Sequence, residues 1–81
     1  MRQTVNVMFL GGAKRVSMGR WLIEAGASLG LDVNLFSYEL SAQVPIACIA
    51  TVVIGKRWRD SCLMEHLHET VKENRIDILI P

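Results

Sequence analysis

The amino-acid sequence predicts one α/β domain of three layers, with helices on both faces of a four-stranded, mainly parallel sheet. Three observations carry that expectation. Short runs rich in Val, Ile and Leu alternate with helical patterns along the chain. Nearly every such run is closed by glycine, proline or a charged residue. The 81 residues, 51% of them hydrophobic, suffice for one core and no more. A chain this short buries only about 60% of the surface that its unfolded form exposes. Apolar content in excess of that core points to surface meant for a partner, another domain or a second copy.

Thr4–Leu10 is a run of apolar residues that stops at Gly11-Gly12, as suits a strand buried on both faces, with Asn6 as its one polar interruption. From Lys14 the period becomes helical. Met18, Trp21, Leu22, Ala25 and Leu29 form one stripe, which places Trp21 in the core. Gly30 stands where a left-handed cap belongs. Gly19 and Gly26 lie inside this helix, each at up to about 1 kcal/mol against alanine; close packing on a neighbouring strand explains them. Val33–Tyr38 is a second strand, ending at Glu39. Leu40–Ala50, with Pro45, reads as a loop with one helical turn. Thr51–Ile54 is a third strand, closed by Gly55. Asp60 is the expected N-cap of a helix whose stripe is Leu63, Met64, Leu67 and Val71. Ile76–Ile80 is the fourth strand, stopped by Pro81. Strands alternating with helices imply parallel pairing through right-handed crossovers. The strand order 3-2-1-4 follows the arrangement of a half-Rossmann unit.

Net charge is only +1, so the electrostatic footprint of a nucleic-acid binder is missing. Lys14, Arg15 and Arg20 make one basic group and Lys56, Arg57 and Arg59 another, both too short to be polybasic tails. No apolar stretch approaches the roughly 18 residues of a membrane span, and the N-terminal residues lack the features of a signal peptide. Cys48 and Cys62 form no CxxC pair and are expected to be reduced thiols in the cytoplasm.

The passage Gly11-Gly12-Ala13-Lys14-Arg15 is the main candidate site. Glycines after a buried strand let the backbone turn sharply and let a ligand approach the main chain. The helix that follows offers free N–H groups and a partial positive charge to an anion, and Lys14 and Arg15 add formal charge. A phosphate or carboxylate site is one reading; a tight turn with solvated cations is the other. Two common fingerprints fail. GxGxxG needs glycine where Ala13 stands, and no Gly-Lys-Ser/Thr follows at P-loop spacing. Glu39 ends the second strand, where dinucleotide-binding domains place an acid on a ribose hydroxyl; with the glycine fingerprint broken, an exposed loop acid is the plainer reading. His66 and His68 point to different helix faces and cannot share a metal, while Cys62 and His66 can share a face but are too few for a closed site. Trp58, between Arg57 and Arg59, is the better contact surface of the two tryptophans.

The passage Val7-Met8-Phe9-Leu10-Gly11-Gly12-Ala13-Lys14-Arg15-Val16 resembles the opening of a pre-ATP-grasp domain, in ATP-grasp proteins similar to the carbamoyl-phosphate synthase large subunit. Tyr38-Glu39-Leu40 fits the end of that family's second strand, which often carries Asp where Glu39 stands. Pro45-Ile46-Ala47 resembles its Ala-Pro-Ala segment, and Ile76-Asp77-Ile78-Leu79-Ile80-Pro81 its fourth strand. The four motifs span the chain in order. The resemblance implies a Rossmann-like domain preceding a separate ATP-grasp domain, which would lie C-terminal in the same parent chain. The parent would be a ligase using ATP and magnesium, with no cofactor and no catalytic residue in this segment. It also implies that Gly11, Gly12 and Arg15 help to hold the acceptor substrate, with Lys14 and Glu39 as further candidates for the same anion site. Residues 1–81 are then expected to be an N-terminal piece of a longer protein. An exposed fourth strand favours self-pairing, so a homodimer is a further expectation. The other open reading is a free-standing Rossmann-type nucleotide- or anion-binding module, or a dimerisation domain.

Overall fold

The computed structural model describes residues 3–81. Its elements are β1 (Gln3–Leu10), α1 (Val16–Ser28), β2 (Leu31–Glu39), a 3-10 turn (Pro45–Cys48), β3 (Thr51–Ile54), α2 (Leu63–Glu73) and β4 (Ile78–Ile80). The four strands run in the order β3-β2-β1-β4, and all three pairings are parallel. The predicted fold class and strand order are those observed. Among the described residues no helix is long and apolar enough to cross a membrane.

The alternation of side chains along a strand explains the three layers. Val7 and Phe9 of β1 join Leu35 and Ile46 in one buried cluster, against which Leu22 and Ile23 of α1 pack. Met8, between them in sequence, faces the other way and joins Tyr38 with Leu63 and Leu67 of α2. A central strand with both faces covered needs apolar residues at consecutive positions, and Val7, Met8 and Phe9 are all buried.

The face that α1 turns to the sheet differs from the one expected. Trp21 is 63% exposed and Leu29 76% exposed, so Trp21 is not a core residue. The buried positions are Gly19 and Gly26, with half-buried Leu22 and Ile23 completing the stripe. A Cβ on Gly19 would stand 2.9 Å from Leu35 Cδ1, and one on Gly26 would stand 2.3 Å from Val33 Cγ2. The helix therefore lays its thinnest face on β2. Hydrophobic periodicity gives glycine little weight, which is why it selects the neighbouring flank that carries Trp21.

Both helix ends show how the chain turns into the next strand. At the end of α1, Gly30 takes φ +78 and its N–H donates to the Ala27 carbonyl at 3.0 Å, the left-handed cap expected there. At the end of α2 the same place is taken by Arg75, with φ 51. The Ile76 N–H donates back to the Val71 carbonyl at 2.9 Å, closing a Schellman turn. That turn consumes Ile76, so β4 begins at Ile78 and is shorter than the Ile76–Ile80 strand expected. At its start, α2 also differs. Asp60 Oδ1 accepts the Cys62 N–H at 2.7 Å, capping the turn ahead of the helix, while Cys62 is itself the N-cap, with no capping bond from its side chain.

Asn6, the polar interruption of β1, ties the strand to the far end of the chain. Its Nδ2 donates to the Asn74 carbonyl at 3.3 Å and to the Arg75 carbonyl at 3.1 Å. Its main-chain N–H donates to Asp77 Oδ2 at 2.8 Å. Asn34 Nδ2, on the neighbouring strand, donates to Asn6 Oδ1 at 3.1 Å. An apolar residue at position 6 would leave two carbonyls of the α2 terminus without this donor.

Candidate functional site

The turn after β1 is built from glycine for two distinct reasons. Gly11 has φ +81, and no atom stands within 4 Å of where its Cβ would be. Its backbone is thus left-handed and bare on that side. Its N–H donates to the Tyr38 carbonyl at 3.2 Å. Gly12 is instead crowded: a Cβ there would stand 2.5 Å from Phe9 Cβ. The Gly12 N–H donates to Ser37 Oγ at 3.3 Å, and the Ser37 hydroxyl donates to Glu39 Oε2 at 2.5 Å. Ser37 is fully buried, and this relay satisfies it on both sides. The turn is fixed from outside as well, because the Ile46 N–H donates to the Ala13 carbonyl at 3.0 Å.

The structure thus joins Gly11, Gly12 and Glu39 at the carboxyl ends of β1 and β2. Arg15 makes its contacts at another place. Lys14 is exposed. Arg15 is the N-cap residue of α1, which has no side-chain cap. Its Nη1 donates to the Pro81 carbonyl at 2.9 Å, and its guanidinium carbon lies 5.9 Å from the centroid of the Phe9 ring. Arg15 therefore clamps the end of β4 beside β1.

A cleft of about 470 Å³ opens at the same carboxyl edge. It is lined by Gly11, Tyr38, Glu39 and Leu40 from the ends of β1 and β2 and by the Lys56–Arg59 segment that follows β3. In open parallel sheets, ligands bind in such crevices outside the carboxyl ends of the strands. The root of the Lys56–Arg59 segment is fixed. The Gly55 N–H donates to the Glu39 carbonyl at 2.8 Å, and the Lys56 N–H donates to Tyr38 Oη at 2.8 Å. A Cβ on Gly55 would stand within 2.1 Å of Tyr38 Cζ, so glycine lets the chain pass flat over the ring. Tyr38 Oη is also 2.6 Å from His66 Nδ1. The hydroxyl accepts the Lys56 N–H and keeps both a proton and a second lone pair to offer the imidazole. Tyr38 thereby binds β2, the loop after β3 and α2 at one atom.

The basic group Lys56, Arg57 and Arg59 and the contact residue Trp58 were visible in the sequence, but their sharing of one cleft with Gly11 and Glu39 was not. Tyr38 and His66 carry no spacing signal, since they stand 28 residues apart and meet only through the fold. Both cysteines are free and exposed. Among the described residues no three of His, Cys, Asp or Glu are grouped to hold a metal ion. No family model, no curated protein and no solved structure matches the chain.

Proposed function

We propose that the chain is a non-catalytic, ligand-holding domain that takes a small acidic molecule at the carboxyl edge of its sheet, as the first domain of an ATP-grasp ligase similar to the carbamoyl-phosphate synthase large subunit. One observation carries the ligand-holding reading. The bare Gly11 backbone and Glu39 line one cleft together with Lys56, Arg57 and Arg59. The ligase reading is supported by the four sequence motifs in register and by a β3-β2-β1-β4 sheet of the kind that resemblance implies. In this reading the domain acts in the cytoplasm, and its partner is an ATP-grasp domain of the same parent chain. ATP and magnesium belong to that domain. The acceptor substrate is held at the Gly11-Gly12 turn while chemistry proceeds next door. A free-standing anion-binding module is the second reading.

Titrating the 81-residue protein with inorganic phosphate under NMR observation tests the ligand-holding part. Weak, saturable shifts of the Gly11 and Gly12 amides are expected, with no hydrolysis of ATP. An ATPase activity lost on Lys14→Ala or Arg15→Ala would overturn the non-catalytic assignment. The coding sequence beyond Pro81 tests the ligase part: an ATP-grasp domain is expected there, and a stop codon leaves only the free-standing module.

A further inference from the structure

We infer that the cleft is selective for an aromatic acid, a planar ring carrying a phosphate or carboxylate, with the ring laid on Trp58 and the acidic group held by the surrounding cations. The inference rests on the reading of this edge as a ligand-holding one, and names the chemical class that the edge takes.

The charge of the cleft favours an anion. Lys56, Arg57 and Arg59 all line it, and among its described lining residues the only carboxylate is that of Glu39. One oxygen of that carboxylate already accepts the Ser37 hydroxyl. Arginine offers a planar fork of donors that matches phosphate and carboxylate oxygens in pairs. The bare main chain at Gly11 adds a wall against which a ligand can lie without meeting a side chain.

The ring is called for by Trp58. This side chain is 63% exposed and lines the cleft in company with Lys56, Arg57 and Arg59. An indole offers a flat apolar surface, and ring pairs prefer offset or edge-to-face contact with it. The volume, about 470 Å³, is in the range that encloses one small organic ligand. Trp58 also stands on a fixed base, because Gly55 and Lys56 on its N-terminal side are hydrogen-bonded to Glu39 and Tyr38. On its other side the Asp60 N–H donates to the Arg57 carbonyl at 2.9 Å, closing the turn that carries Trp58. A segment held at both ends loses little freedom when a ring settles on it, which favours binding.

The test uses the chain's two tryptophans. Trp21 is exposed on α1 and is not among the residues that line the cleft, so Trp21→Phe leaves Trp58 as the only indole reporter. This protein is titrated with inorganic phosphate, phenyl phosphate and cyclohexyl phosphate, following Trp58 fluorescence and backbone amide shifts. Phenyl phosphate is expected to bind about tenfold more tightly than inorganic phosphate, the factor that one aromatic contact supplies. It should quench Trp58 and shift Gly11, while cyclohexyl phosphate falls between the two. Trp58→Ala, at an exposed position, should reduce phenyl phosphate to the affinity of inorganic phosphate. Arg57→Ala with Arg59→Ala should weaken all three ligands. If phenyl phosphate and inorganic phosphate bind equally and both shift Gly11, the aromatic inference is overturned and the acid-holding reading stands. If no ligand shifts Gly11 or the Lys56–Arg59 amides, both are overturned.

Discussion

Gly12 and Arg75 show opposite relations between a residue and its backbone. Gly12 is glycine because Phe9 fills the space a Cβ would need. Gly12→Ala should therefore destabilise the domain by about 1–3 kcal/mol, the usual range for overpacking a tight site, read as a lowered urea midpoint. Arg75 is the reverse case, an L-residue held at φ 51 where glycine is the common choice. Arg75→Gly should stabilise the cap by up to about 1 kcal/mol, since the left-handed strain of a Cβ is relieved while the unfolded chain gains freedom. A rise in Tm is the expected reading, and a fall would show that the arginine side chain makes a contact of greater worth. The turn at Gly11-Gly12 was legible in the sequence because glycine advertises itself. The Arg75 turn was not, because nothing in an arginine's chemistry marks a left-handed backbone.

At the scale of elements, the placement of α1 and of the loop after β3 decides what the domain presents. The interior glycines of α1 pointed correctly to a close neighbour, and the neighbour is β2 through Leu35 and Val33. What periodicity could not supply was the rotation of the helix about its axis, since Trp21 and Leu29 outweigh glycine in any apolar count. Trp21→Lys should accordingly change stability by no more than about 0.5 kcal/mol, as for other surface positions. Gly26→Ala should cost several times more by pushing α1 off Val33. Paired chemical denaturation curves check both. For the loop, Tyr38→Phe deletes the hydroxyl that serves the Lys56 N–H and His66. The loss should be about 1–3 kcal/mol, the cost of leaving such a donor unsatisfied. Faster hydrogen exchange at the Lys56 amide would locate the effect in the cleft wall. Neither partner of that hydroxyl could be foreseen, because the contact spans elements that are separate in the sequence.

For the molecule as a whole, alternation and strand order were legible because they follow from chain connectivity and handedness. The side of the sheet on which a cleft opens follows from the same logic, whereas its lining depends on loops, whose paths carry no periodic signal. The sheet has an exposed border at β4, where Ile78 and Leu79 are both about half exposed. Such an edge invites pairing with another strand. If the β4 edge joins two copies, concentration-dependent dimerisation in sedimentation experiments should disappear in Leu79→Lys. Dimers that persist in that variant would place the contact on another surface.

The position of β1 has a consequence in time. The first of the four described strands is central, and its two neighbours are β2 and β4, so one of its flanks stays open until β4 has been made. Asn6 makes the delay concrete, because the bond from its N–H to Asp77 spans 71 positions of the chain. During synthesis, β1 and β2 can meet early, while Met8 waits for α2 and β4 to close over it. Closing a loop of that length is a slow step for parallel pairing. The half-built sheet, with its apolar middle strand uncovered, is the species that a chaperone would meet.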